Sequence, residues 1–288
     1  MTEVSIADKH VLGADGRTVA WTETGEGIAV LRLPGTPGSR WSLPVDLSLW
    51  SELGLRVITT ERPGFGRSTR LPGRQFREHS DDLAAILDHL GLERVHLIGG
   101  SGGGPHVLAF AAHHPDRVVA ATVRVGYPLL NDDEYDQMLP ANADVFRAAR
   151  AGDEQRVREL LADGNEDGPM AVLHAAMVTA PQSDRDVMKD AAWRASVEKG
   201  LTEAFAQGID GWVDECLAID GQWTDIDLTA IRTSITWWHS RADRNCPFPA
   251  AQRLVDRLPT ATLRELPNGG HLEPTRWARE ITRELLAR

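Results

Sequence analysis

Cysteine is nearly absent. Of 288 residues only Cys216 and Cys246 carry thiols, too few for a disulfide framework and without the clustered spacing of a structural zinc site. Both read as free thiols packed in a core, and no metal is expected. Positive charge is also scarce: 31 Lys and Arg stand against 42 Asp and Glu, a formal net charge of -11. That balance repels phosphate backbones and anionic lipid heads, and no basic run overrides it, so nucleic acid is not an expected partner. Long hydrophobic runs are missing too. No segment reaches the ~20 apolar residues needed to cross a bilayer, and Met1 to His10 is polar with no stretch of signal-peptide length. These features lead to the expectation of a soluble, cytoplasmic protein without a membrane partner. Neither an internal repeat nor a low-complexity tract is present, and the oligomeric state is not legible.

What is present is a globular balance, with 42% hydrophobic and 25% charged residues. Short apolar runs of the kind that form buried parallel strands lie at Ile28 to Leu33, Leu55 to Thr60, Val95 to Gly99, Val118 to Val125, Ser234 to His239 and Ala261 to Leu266. Helical patterns alternate with them. Leu83, Ile86, Leu87 and Leu90 form an i, i+3, i+4, i+7 stripe that stops at Gly91, and Trp277, Ile281 and Leu285 form a second stripe behind Pro274. Alternation of this kind predicts an α/β fold with a doubly wound, mostly parallel sheet. From 131 to 222 the strand pattern gives way to helical stretches carrying Val157, Leu160 and Leu161, then Met170, Leu173 and Met177, then Leu201, Phe205 and Ile209. Turns at Asp163-Gly164-Asn165 and Asp167-Gly168-Pro169 break this region. The expected organisation is a core of residues 1–130 and 223–288 with a helical cap inserted at 131–222.

The chemistry is concentrated behind the third strand, at Gly99-Gly100-Ser101-Gly102-Gly103, a G-x-S-x-G pattern followed by a helix-compatible run. A serine on a sharp strand-to-helix turn has a strained backbone, and its neighbours two residues away must lack bulk because strand and helix pass close together. Phosphate binding by this glycine loop is disfavoured: it lacks the lysine of a P-loop and the glycine spacing of a dinucleotide fingerprint. A serine nucleophile needs a base. Of ten histidines, His271 follows the last strand in the flexible Pro267-Asn268-Gly269-Gly270 turn, whereas His79, His89, His113 and His114 belong to helices and His96 and His239 to strands. An acid to orient the base is expected at a strand end. Asp243, in the loop Ser240-Arg241-Ala242-Asp243 after Thr236-Trp237-Trp238-His239, fits better than Asp225 or Asp227, which precede a strand.

Two further loops complete a resemblance to the α/β-hydrolase superfamily. Leu33-Pro34-Gly35-Thr36-Pro37-Gly38-Ser39 resembles its His-Gly-x-Pro-Gly oxyanion loop, and Glu61-Arg62-Pro63-Gly64-Phe65-Gly66-Arg67-Ser68 resembles its Asp-Arg-Pro-Gly-x-Gly-x-Ser segment. The resemblance implies hydrolysis of an ester or related acyl bond in a small-molecule substrate by Ser101, His271 and Asp243, without a cofactor. It also implies that the amides of Thr36 and Gly102 donate to the oxyanion of a tetrahedral intermediate. Pro34 departs from the pattern: it stands in place of the usual histidine and removes a side chain that would brace the loop. The same residues are compatible with a lyase or C–C bond hydrolase, or with a ligand-binding homologue of little turnover. For substrate contacts the candidates are Trp193, Trp212 and Trp223, together with Arg32 and Arg124. Those two arginines lie near the carboxyl ends of presumed buried strands, where a charge needs a partner. An internal ion pair with Glu61 is the competing expectation for them.

Overall fold

In the computed structural model, residues 5–13, 15–164, 166–221, 223–267, 269–272 and 275–288 are described. Eight strands form one sheet: β1 (Ile6–Leu12), β2 (Thr18–Thr24), β3 (Ile28–Leu33), β4 (Leu55–Thr60), β5 (Val95–Gly100), β6 (Val118–Arg124), β7 (Ile235–Ser240) and β8 (Ala261–Leu266). Their order is β1-β2-β4-β3-β5-β6-β7-β8, antiparallel at β1, β2 and β4 and parallel from there on. The six strands read from apolar runs are all present, to within a residue at each end. The β1–β2 hairpin was not expected. Its first strand alternates half-buried and exposed positions, so it lacks the continuous apolar run of a buried strand.

The helices that cover the sheet are α1 (Ser48–Glu52), α2 (Phe76–His89), α3 (Gly103–His113), α10 (Phe248–Val255) and α11 (Ala278–Leu286). Strand alternation sorts the core into two layers. Leu31, Leu33, Leu97 and Val123 pack against α2, α3 and α10, whereas Val30, Ile98 and Ala120 pack against Trp50 of α1 and Ile281 and Leu285 of α11. Each fully buried side chain of this size contributes about 2 kcal/mol. The α2 stripe and the Ile281–Leu285 stripe are thus core faces. Pro274, expected at the start of the last helix, lies outside the described residues, as do Asn165 and Asn268 of the expected turns.

Between β6 and β7 the chain forms α4 (Pro140–Arg150), α5 (Glu154–Asp163), α6 (Ala171–Met177), α7 (Gln182–Val187), α8 (Ala191–Ala204) and α9 (Asp210–Ile219). The Leu201, Phe205, Ile209 pattern does not belong to one helix, because the chain turns at Gly208 with φ of +84° between α8 and α9. A third cluster, including Phe65, Tyr127, Phe146, Leu161 and Trp212, packs α4, α5 and α9 onto the loops after β4 and β6.

The strand order places β4 and β5 on opposite sides of β3. Connections therefore leave β3 and β5 in opposite directions, which opens a crevice at their carboxyl ends. The Pro34–Ser39 loop and the Ser101 turn both leave from that crevice.

Candidate active site

Ser101 follows β5 with φ of +52°, a left-handed conformation that a serine occupies only when its surroundings impose it. Those surroundings are backbone. A Cβ on Gly99 would lie 2.7 Å from the Gly103 carbonyl oxygen, and one on Gly103 would lie 2.3 Å from that of Leu33, so both positions must be glycine for α3 to pass this close to β3 and β5. The turn is tied down from two sides: Ser101 N–H donates to Arg124 O at 3.0 Å, and Tyr127 N–H donates to Ser101 O at 3.0 Å.

His271 Nε2 lies 3.0 Å from Ser101 Oγ, and its Nδ1 lies 2.8 Å from Asp243 Oδ2. The second carboxylate oxygen, Oδ1, accepts from Asn245 N–H at 2.8 Å and Cys246 N–H at 2.9 Å. With Nδ1–H directed at the carboxylate, the Nε2 lone pair faces the serine hydroxyl. Burial disfavours protonation of His271, but the Asp243 charge and hydrogen bond outweigh it and hold its pKa well above the ordinary 6.5. Asp243 is lowered in turn, the His271 charge overcoming the opposing effect of burial. Its other histidine neighbour, His239, is neutral. His239 Nδ1 accepts from Trp237 Nε1–H at 3.0 Å, which leaves Nε2–H to donate to Cys246 O at 2.8 Å, and burial lowers its pKa.

Residues outside the sequence motifs hold this arrangement. Asp184, from α7, accepts from the backbone N–H groups of His271 and Leu272, both at 2.9 Å. A Cβ on Gly270 would lie 2.5 Å from that carboxylate. The Cys246 thiol, read from sequence as a core residue, lies within 4.8 Å of the Asp243 carboxylate and a His271 ring nitrogen. Among the described residues this is the one trio with donor atoms spaced for a metal ion, and two of its members are the histidine and carboxylate of the relay.

The Pro34–Ser39 loop abuts the serine turn. A Cβ on Gly102 would lie 2.7 Å from Thr36 Cγ2, and one on Gly35 would lie 3.3 Å from Ser101 Cβ. Pro34 does not leave the loop unbraced: Arg62 donates to Pro34 O and Gly35 O, both at 2.6 Å. Arg62 Nε is 2.8 Å from Glu215 Oε1 of α9, and Glu215 also meets Arg74 and, at 3.1 Å, His106 Nε2. Asp225 and Asp227 are elsewhere. Asp225 accepts from the first N–H groups of α2, and Asp227 accepts from Thr229 N–H.

A cavity of about 690 Å³ opens at Ser101 and His271, with Thr36 and Gly102 in its wall. Trp193 and Trp212 line it, as do Arg32 and Arg124. Trp223 does not: it is buried in the sheet core, edge-on to Phe76, with its indole N–H donated to Ile219 O at 2.6 Å. The expected pairing of Arg32 or Arg124 with Glu61 is also absent. Glu61 accepts instead from Arg40 Nη1 at 2.6 Å and Arg67 N–H at 2.9 Å.

A mostly parallel sheet with a strained serine, an imidazole and a carboxylate hydrogen-bonded in series at its carboxyl edge has the form of an α/β-hydrolase. Residues 28–163 match the family model described as alpha/beta hydrolase fold. A putative carbamate hydrolase from Caulobacter sp. (strain K31) is 29% identical over 248 residues, 82% of this chain and 80% of its own length. A non-heme haloperoxidase from Rhodococcus erythropolis is 27% identical over 283 residues, covering 96% and 97% respectively. The solved thermophilic esterase from Thermogutta terrifontis superimposes with a TM-score of 0.70 at 22% identity, over 98% of both chains. The chain has the α/β-hydrolase fold and is similar to enzymes of that fold along most of its length. Among the described residues no helix is long and apolar enough to cross a membrane.

Proposed function

We propose that the chain is a serine hydrolase acting on an ester or related acyl bond through an acyl-enzyme. The hydrogen-bonded series from Ser101 Oγ through His271 to Asp243 carries this reading. Ser101 attacks the substrate carbonyl as His271 Nε2 takes its proton, and Asp243 holds the tautomer and stabilises the imidazolium that forms. The amides of Thr36 and Gly102 receive the oxyanion on a loop pre-set by Arg62, each such donor being worth about 3 kcal/mol. His271 returns the proton to the leaving group, and the same base then activates water to release the acid. The helices of residues 131–222 act as a cap over the cavity, and Trp193 and Trp212 contribute to its selectivity.

A fluorophosphonate probe should label Ser101 in the intact protein. Ser101→Ala should abolish labelling and lower turnover of p-nitrophenyl acetate by at least about 10⁴-fold. Labelling of a different residue, or wild-type turnover by Ser101→Ala, would overturn the assignment.

A further inference from the structure

Among the described residues Arg32 and Arg124 differ from the buried arginines Arg40, Arg62 and Arg74, each of which meets a carboxylate. They stand on β3 and β6, the strands on either side of β5. Register pairs Arg32 with Ile98 and Arg124 with Gly100, and because Ile98 and Gly100 are two residues apart, both arginines project from the same sheet face. That face is the one covered by α1 and α11, and both side chains reach the wall of the cavity that contains Ser101. Gly100 leaves room beside them: a Cβ there would be 3.5 Å from Arg124 Nη2.

Neither guanidinium has a carboxylate partner among the described residues. Arg32 donates to Ser42 O, while Arg124 Nε is fully buried without an acceptor. Loss of water lowers the pKa of both, to about 9 for Arg32, where the Arg124 charge adds to the effect, and to about 10 for Arg124. The acids in the same cavity wall are already engaged. Asp46 accepts from Ser48 N–H at 2.8 Å, and Asp190 accepts from Ala192 and Trp193 N–H. Two desolvated cations side by side without a counter-ion cost stability. A cost of this kind is retained at sites where a ligand supplies the missing charge.

We infer that Arg124 and Arg32 form a subsite for a carboxylate on the substrate, a few bonds from the carbonyl that Ser101 attacks. This rests on the serine-hydrolase reading above and names its substrate class: acyl compounds that carry a free carboxylate, such as half-esters of diacids. A carboxylate is favoured over phosphate because its two oxygens match the fork of one guanidinium. Arg32 already spends a donor on Ser42 O, which leaves the pair fewer donors for a third anionic oxygen.

The test compares the monomethyl and dimethyl esters of glutaric acid, which present the same acyl chain with and without a carboxylate. The wild-type enzyme should prefer the monomethyl ester in kcat/KM. Arg124→Met should lower the ratio of the two values by at least about thirtyfold, and Arg124→Lys should restore part of it. Melting temperatures measured without ligand show whether the variant is folded, and Arg124→Met should melt no lower than wild type, because it removes an uncompensated charge. A wild-type preference for the dimethyl ester, or a ratio unchanged by both Arg124→Met and Arg32→Met, would overturn the inference. If neither ester is turned over, calorimetry on Ser101→Ala separates the two readings. Glutarate binding that is lost in the Ser101→Ala, Arg124→Met double variant supports the subsite while the hydrolase reading fails. Absence of glutarate binding, or tighter binding of inorganic phosphate, overturns the carboxylate subsite itself.

Discussion

Two sets of arginines, one buried and one half-buried, reach into this interior, and they differ in what faces them. Arg40 is enclosed by Asp8, Glu61 and Glu203, and Arg62 and Arg74 share Glu215. Arg32 and Arg124 pair with no acid among the described residues and lie beside each other at the cavity wall. The paired set fastens loops to one another, and carboxylates offset its burial, although Arg62 Nε, Arg74 Nε and Arg74 Nη1 lack a well-aligned acceptor. The unpaired set is held ready for a charge from outside. Exposure follows the same division: Arg40, Arg62 and Arg74 are buried, whereas Arg32 and Arg124 are half-buried at the cavity wall.

The contrast breaks most sharply at Glu215. Glu215→Gln leaves Arg62 and Arg74 buried without their counter-ion, and should cost about 3–5 kcal/mol of unfolding free energy by denaturant titration. Arg124→Met, which removes a charge that has no partner, should cost none. If the two variants lose stability equally, the distinction between fastening and waiting arginines is wrong.

A second expected effect concerns pH. Asp243 holds the His271 pKa above 6.5, so kcat/KM should fall about tenfold per pH unit on the acid side of that raised value as the base becomes protonated. The sign for stability is opposite. A raised folded-state pKa gives stability that is fully present below 6.5 and lost as pH rises through the folded value. The enzyme should therefore gain activity over the window in which this contribution declines. In Asp243→Asn the raising charge is gone and burial remains, so the midpoint should move to lower pH while the rate falls about 10⁴-fold. A midpoint unmoved by that substitution would show that Asp243 is not the source of the shift.

The smallest effect is expected at the apolar part of the cavity. Trp193→Ala or Trp212→Ala should change relative rates among neutral esters of different size by about tenfold, since apolar contacts discriminate weakly. The carboxylate preference set by Arg124 should survive. Loss of that preference in either tryptophan variant would mean that the apolar and basic parts of the cavity are not separable.

How legible these features are in the sequence follows the range of the interactions. Parallel strands buried on both faces are continuous apolar runs, so β3 to β8 could be read directly, and the serine, acid and histidine sit at strand ends where the motifs place them. In the β1–β2 hairpin only β2 is largely buried, and Asp8, Lys9 and Glu23 interrupt its apolar residues, which hides it. Trp223 was grouped with Trp193 and Trp212 because aromatic content does not reveal which cluster a ring joins. Asp184 supports His271 from 87 residues away, and Glu215 reaches Arg62 from another part of the chain. No local pattern encodes such pairings. Pro34 reads as the loss of a brace, whereas Arg62, in the neighbouring Arg62-Pro63-Gly64 turn, supplies one.

The Arg62 bridge has a consequence for how such enzymes diversify. One guanidinium holds the two carbonyls of the Pro34–Gly35 segment and also the carboxylate of α9, so a helix from the stretch between β6 and β7 braces the loop beside Ser101. On the proposed reading, that stretch is not a freely exchangeable module. Its α6 and α8 stretch contributes Leu173, Met177, Trp193 and Leu201 to the cavity, but α8 also carries Glu203, which meets Arg40, so a graft of α8 should need a glutamate at the position of Glu203 and one that takes α9 along should need one at the position of Glu215. Exchange of a segment that begins after β6 and ends at the Gly208 turn keeps Arg62 and Glu215 from the same parent and should succeed when the incoming segment carries a glutamate at the position of Glu203, whereas an exchanged segment that runs past Glu215 without a glutamate there should fail.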